Sequence, residues 1–173
     1  MKKRFFCFIL SLSLMFSTLC FSNGNTVYAL SKSEILNSAK LSPLKCGVEY
    51  VDAYIEDLFS QILTDNMTTY EKVKACYDHI IYNTEYGISG WYNGVENLLY
   101  NEYYKSETDA FIIYYGYTLL RTGYGVCNDY ASAFVLLTRA IGLESYLMRG
   151  QTNTTSGGYA GHMWVNIIIN GTY

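Results

Sequence analysis

Two side chains in this sequence have the types and setting for nucleophilic chemistry, Cys127 and His162. Cys127 lies in "GYGVCNDYASAFVLLTR", residues 123–139, just after Gly123 and Gly125 and just before a strongly helical pattern. A helix start lowers a thiol pKa, because unpaired N–H groups and the positive end of the dipole favour the thiolate. Gly125 is expected to keep side chains off the approach to the sulfur. The backbone N–H of Cys127 can face a developing oxyanion. His162 follows later in the chain, opening an apolar strand pattern after a Gly-rich loop. On a strand, His162, Trp164, Asn166 and Ile168 share one face. A thiol on a helix start with an imidazole on a neighbouring strand is an arrangement for acyl transfer: the imidazole takes the thiol proton and the sulfur attacks a carbonyl.

Each residue also has a plainer reading. Cys127 could be a small buried hydrophobe, but its neighbours Gly125, Asn128 and Asp129 are small or polar. His162 alone would read as a satisfied core histidine; its order after Cys127 favours a base. Trp164 reads as core packing more readily than as support for an oxyanion. His79 competes for the role of base. It lies three residues after Cys76 on a helical pattern, so the two are neighbours. They could form half a zinc site, yet no second pair stands at metal spacing, and no metal is expected.

These residues need elements to hold them. Val51, Tyr54, Ile55, Leu58 and Ile62 recur at helical spacing, predicting a helix over about 48–63. Thr68 with Glu71 is a capping-box pattern before a second helix, about 69–85, with Val73, Cys76, Tyr77, Ile80 and Ile81 on one face. Residues 87–108 are rich in tyrosine, glycine and asparagine and read as a loop-rich insertion with a short helix near 95–103. Tyrosines across 86–124 could line a groove, with packing as the safer reading. Asp109 is expected to cap the helix "AFIIYYGYTLLR" despite Gly116. The helix behind Cys127 has an expected inner face of Tyr130, Ala133, Phe134, Leu137 and Ile141, and Gly142 ends it. "LESYLMR" reads as a strand, "GQTNTTSGGYAG" as a flexible loop and "HMWVNIII" as a second strand. Asn170-Gly171 is a strong hairpin signal.

Lys2, Lys3 and Arg4 precede an apolar run to Phe21, and Val27-Tyr28-Ala29 follows a polar patch. Residues 1–29 therefore read as a cleaved secretory signal peptide, placing the protein outside the cell or in its envelope. A membrane anchor is the weaker reading, since Ser11, Ser13, Ser17 and Thr18 dilute the run. A lipoprotein site at Cys20 is weaker still after the bulky Leu19. Residues 30–46 read as a loose leader or linker and 47–173 as the domain. Without the signal's three cations, twelve basic residues fall to nine against fifteen acidic, a net charge of about −6. That argues against nucleic acid as a partner and leaves no polybasic membrane patch. No GxGxxG or P-loop pattern supports a nucleotide. Cys46, Cys76 and Cys127 would remain, an odd number that flags a reactive thiol; Cys46 and Cys76 either pair or stay reduced.

Gly125, Cys127, Tyr130 and Ala131 match G-x-C-x-x-(Y/F)-A, and Gly161, His162 and Trp164 match G-H-x-W. With Ile141-Gly142-Leu143 between them and the helix in "MTTYEKVKACYDHIIYNTEY" ahead, residues 65–173 resemble the transglutaminase-like family. The resemblance implies a papain-like α+β fold, with N-terminal helices packed on an antiparallel sheet. It also implies an aspartate on the strand after the histidine strand. The sequence reaches only Tyr173, so that acid and strand are expected to lie beyond it and the sheet to be incomplete at the C-terminus. Asp129, on the nucleophile's own helix, is no substitute, and Asn166 precedes the turn. The implied activity is cysteine-dependent acyl transfer or hydrolysis on a protein or peptide substrate, such as one associated with the cell wall, without a cofactor. The alternative is a catalytically idle module of the same fold that binds protein or cell wall. Intact-mass measurement of secreted protein should find an N-terminus at Leu30; material retaining residues 1–29 in the membrane would mean an anchor instead.

Overall fold

A computed structural model describes residues 30–87 and 107–172. The expected signal peptide and the short helix near 95–103 lie outside the described residues. Five helices and two small sheets form the described part: α1 (Lys32–Asn37), α2 (Glu49–Ile62), α3 (Thr69–Asn83), β1 (Glu85–Tyr86), α4 (Glu107–Thr122), β2 (Tyr124–Gly125), α5 (Cys127–Ile141), β3 (Glu144–Asn153) and β4 (Tyr159–Ile168). The fold class is α+β, as expected. β3 and β4 pair antiparallel from Glu144↔Ile168 to Asn153↔Tyr159.

Local signals set several helix ends. Thr68 Oγ1 accepts the Glu71 N–H at 3.3 Å, while the Glu71 carboxylate accepts the Thr68 N–H at 2.8 Å, closing the box that starts α3. α5 ends in a Schellman motif. Gly142, at φ 112°, donates to the Arg139 carbonyl at 3.0 Å, and Leu143 donates to that of Thr138 at 3.0 Å; only glycine takes this backbone conformation cheaply. Past β4, Asn170 (φ 52°) and Gly171 (φ 81°) turn the chain back, and Ile169 and Thr172 exchange backbone hydrogen bonds. These are the positive φ values of a two-residue I′ hairpin turn.

α5 is the element around which the others pack. Ala131, Ser132, Ala133, Val135, Leu136, Leu137, Thr138 and Ile141 are all buried. The expected single inner face is thus corrected: α5 is covered nearly all round, whereas Tyr130 and Phe134 are only half-buried. Small residues make this possible. A Cβ on Gly116 of α4 would lie 2.9 Å from the Ala133 N and 2.7 Å from Leu136 Cδ1, so the two backbones touch where Gly116 meets Ala133. On another side, Leu147 of β3 and Val165 and Ile167 of β4 pack on the core. Tyr54 of α2 fixes α4 by donating its hydroxyl to the Leu120 carbonyl at 2.8 Å.

Three other expectations change, and one alternative left open is resolved. Asp109 does not cap α4, which starts at Glu107; its carboxylate instead takes the Arg139 guanidinium at 3.0 Å, bracing α4 against the end of α5. Residues 150–161 are not all loop. β3 and β4 continue through polar residues, leaving a tight turn closed by Thr154 N–H to Gly158 O at 3.1 Å. Backbone pairing needs no apolar side chain, so the hairpin arm outruns its hydrophobic pattern. The stretch 30–46 is not loose either. α1 has its own Ser31–Glu34 capping box, Asn37 Oδ1 accepts the Tyr70 N–H at 2.9 Å, and Ser42 and Leu44 donate to the carbonyls of Gly142 and Arg139 at 2.8 and 3.0 Å. Finally, Cys46 and Cys76 are both free thiols.

Gly116→Ala tests the α4–α5 contact by the sign of its effect. Helix propensity alone predicts a gain of about 1 kcal/mol. The backbone approach predicts instead a loss of roughly 1–3 kcal/mol through overpacking. A fall in the urea midpoint is expected.

Candidate active site

Cys127 is the first residue of α5, and the segment entering it is held from behind. β1 pairs parallel with β2, Glu85↔Tyr124 and Tyr86↔Gly125. The Glu85 N–H donates to Gly123 O at 2.7 Å and the Gly87 N–H to Gly125 O at 3.0 Å, tying the end of α3 to the approach to Cys127. The Asp129 side chain is fully buried, and its Oδ2 accepts the Val126 N–H at 2.9 Å. Val126 has no side-chain acceptor to complete the box. The Cys127 N–H donates to no acceptor among the described residues, as expected for an opening helical turn.

Gly125 has a different role from the expected one. It is buried, and a Cβ there would lie 2.6 Å from the Asp129 Cβ and 2.7 Å from Leu119 Cδ1. Its hydrogen side lets α4 and the first turn of α5 close up behind Cys127. It does not line the space in front of the sulfur.

That space is a groove of about 650 Å³ lined by Cys127, His162 and Trp164, together with side chains of α3, α5 and β4. The structure thus brings together three of the four sequence-derived residues. His162 is half-buried, and its ring is stacked on that of Trp164, with centroids 6.4 Å apart and planes 25° apart. Trp164 is 40 % exposed, which corrects its reading as core packing. Its six-membered ring covers Gly150 on the paired strand, where a Cβ would come within 2.6 Å of the ring. Trp164 therefore holds one face of His162 in place. Among the described residues neither Cys127 Sγ nor the His162 ring makes a hydrogen bond.

The opposite wall was only partly legible. Thr84 Oγ1 lies 2.7 Å from both the Ile80 carbonyl and the Tyr130 hydroxyl. Thr84 has one hydroxyl hydrogen, and the carbonyl can only accept it, so Tyr130 donates to Thr84. This clamps the Tyr130 ring beside Cys127, with Tyr86 against it at 5.7 Å. Tyr77 and Phe134 meet edge to face at 6.2 Å. The helical periods placed Tyr77 and Phe134 on inner faces, but nothing in the sequence said that those faces bound a groove. The tyrosines of 86–124 divide: Tyr86 lines the groove, while Tyr117 is buried against Tyr50 and Tyr54.

The other candidates lie elsewhere. Cys76 is buried in the core, where burial pushes its pKa up to about 12. Burial does the same to Cys46, also to about 12. His79 is half-buried, its ring 3.4 Å from Asn83 Nδ2, and burial lowers its pKa. Among the described residues no three His, Cys, Asp or Glu side chains gather as a metal site.

Comparison with known proteins adds the family. No curated protein matches the chain. Among solved structures, that of a candidate cysteine protease from Cytophaga hutchinsonii is similar at 22% identity and a TM-score of 0.47, covering 85% of this chain and 42% of that one. The chain therefore spans less than half the length of that protein. A sequence profile of the transglutaminase-like superfamily matches residues 56–173, well over half the chain. The chain belongs to the transglutaminase-like superfamily.

Proposed function

We propose that this protein performs cysteine-dependent acyl chemistry on protein or peptide carboxamides, with Cys127 as nucleophile and His162 as general base and acid. The observation that carries the reading is the shared groove: the thiol at the start of α5 and the imidazole on β4 line one space. His162 takes the thiol proton, and the sulfur attacks the carboxamide carbon. The carbonyl oxygen becomes an oxyanion opposite the Cys127 N–H. Collapse breaks the C–N bond as His162 returns the proton to the leaving ammonia or amine, leaving a thioester. An amine or water then attacks the thioester carbon, His162 accepts its proton, and the thiol is restored. With an amine the outcome is transamidation; with water it is hydrolysis or deamidation. Trp164 supports the ring of His162, and Gly125 supports the turn beneath Cys127. The reading needs no cofactor, and residues 1–29 would carry the protein to the cell envelope or beyond.

One observation favours the second reading, a catalytically idle binding module of the same fold. No hydrogen bond joins Cys127 to His162 among the described residues. Catalytic hydrogen bonds are often long before substrate binds, so this alone does not displace the enzyme reading.

Thiol reactivity separates the two. With pKa values of about 12, Cys46 and Cys76 are thiolate to on the order of one part in 10⁵ at pH 7. The sign is clear: burial disfavours the anion, so both stay unreactive until far above neutral pH. Iodoacetamide at pH 7 should label Cys127 first, as read by peptide mass mapping, and His162→Ala should slow that labelling. Equal labelling of all three thiols would remove the nucleophile claim.

Activity is the second test. Amine incorporation into a glutamine-bearing protein and peptide hydrolysis should both vanish in Cys127→Ala. His162→Ala should lower whichever is present by roughly 10²–10⁴-fold, the usual worth of a positioned acid–base group. Activity that survives Cys127→Ala would sink the proposal.

A further inference from the structure

We infer that the groove beside Cys127 is a subsite for a large apolar side chain, preferably aromatic, next to the reacting carboxamide of a peptide substrate. The inference rests on the acyl-transfer reading and names its substrate class. The walls are Tyr77 and Ile81 of α3, Tyr86, Phe134 of α5, and Met163 and Trp164 of β4. Among the described lining residues none is Asp, Glu, Lys, Arg, Asn or Gln. A charged side chain entering this space would lose hydration without finding a counter-charge.

Three features favour a ring over a small group. About 650 Å³ is in the range of ligand pockets and far more than a glycine or alanine side chain fills. The lining rings already pair edge to face or tilted, Tyr77 with Phe134 and Tyr86 with Tyr130, leaving ring faces and edges for a further aromatic partner. Tyr77, Ile81, Tyr86 and Trp164 are 53, 44, 68 and 40 % exposed, so this apolar surface stands in water beside the thiol. The same chemistry disfavours a sugar. Sugar hydroxyls need hydrogen-bonding partners around a stacking ring, and among the described lining residues Thr84 and Tyr130 spend their hydroxyls on each other and on the Ile80 carbonyl. The occupant is therefore a peptide side chain, and the groove's continuity with Cys127 places it beside the carbonyl under attack.

The test uses the full chain carrying Cys127→Ala, so that binding is read without turnover. Dye-labelled hexapeptides with a central glutamine, flanked on one side or the other by Phe, Gly, Lys or Glu, are titrated by fluorescence polarisation. The Phe peptide should bind at least about tenfold tighter than the Gly peptide, as burial of one aromatic ring requires. Lys and Glu peptides should bind no tighter than Gly. Ile81→Asp should erase the Phe preference and favour Lys. Tyr77→Ala, at another exposed wall position, should shrink the Phe-to-Gly ratio. Equal affinities, no measurable binding of any peptide, or tighter binding of a muramyl disaccharide than of the Phe peptide would each overturn the subsite. Alkylation of Cys127 in the wild-type chain is measured in parallel. Preferential labelling of Cys127 without a Phe preference sinks the subsite alone; a Phe preference without preferential labelling supports the subsite and sinks the nucleophile reading.

Discussion

Burial of α5 on nearly every side is the constraint from which the rest of the molecule follows. A helix covered all round cannot shift or rotate without opening contacts in several directions. α4 closes on it at Gly116, and β3 and β4 cover it through Leu147, Val165 and Ile167. The strap before α2 seals its C-terminal end through Ser42 and Leu44, and Arg139 reaches from that end to Asp109 and to the Ser145 carbonyl at 2.9 Å. Cys127 is the first residue of this helix, so a large share of the core serves to locate one sulfur. The cost appears as polar groups buried with it: Ser132 Oγ and Thr118 Oγ1 are buried without a hydrogen-bond partner among the described residues. Both side chains are small, which is what the close helix approach requires.

What the sequence disclosed and what it hid divide along one line. Local signals were legible. Thr68 with Glu71, Gly142 after Ile141, and Asn170-Gly171 each act within about six residues, and each forms as its chemistry predicts. Cys127 at a helix start was legible for the same reason. Long-range backbone contacts were not. The β1–β2 ladder has two residues per strand, too few for any periodicity, yet it anchors the turn into Cys127. The strap of residues 39–46 has no helical or strand period and carries Pro43, so it reads as linker, while its hydrogen bonds go to carbonyls about a hundred positions away, those of the Gly142 and Arg139 that end α5. The helical period of α5 misled in another way. Ala131 and Ser132 fall outside the expected inner face, but small size is what lets neighbours cover them.

The candidate site was legible in its two candidate residues, which line one groove, and not in its surroundings. Cys127 and His162 stand out because few residue types can do their chemistry. Gly125 matched a motif and invited a role in front of the sulfur; it sits behind it, because Asp129 and Leu119 need the room. Trp164 looked like core because tryptophan is large and apolar, but the strand that bears it is at the rim of the groove, and its ring found Gly150 and His162 as partners. Phe134 and Tyr77 were assigned to inner faces. Helical periodicity cannot distinguish a face turned to the core from one turned to a groove, since both are apolar.

The two sides of the groove are held with different firmness, and on the proposed reading this bears on how the thiol and imidazole would work together. Cys127 is fixed by the buried helix, by the β1–β2 ladder and by the Asp129 carboxylate on the Val126 N–H. His162 stands on the hairpin near the point where its arm leaves the core: Tyr159, Ala160 and Gly161 just before it are exposed, as are Gln151, Thr152 and Asn153 opposite. Backbone hydrogen bonds with little apolar cover open more readily than core ones. The imidazole is thus the less strongly held partner, and its stack on Trp164, itself seated on Gly150, is the contact that steadies it. A peptide side chain filling the groove against Trp164 would press on that stack from the open side. On the proposed acyl-transfer reading, substrate binding and alignment of His162 would then be one event, and the apolar groove would contribute through the position of His162 as well as through affinity.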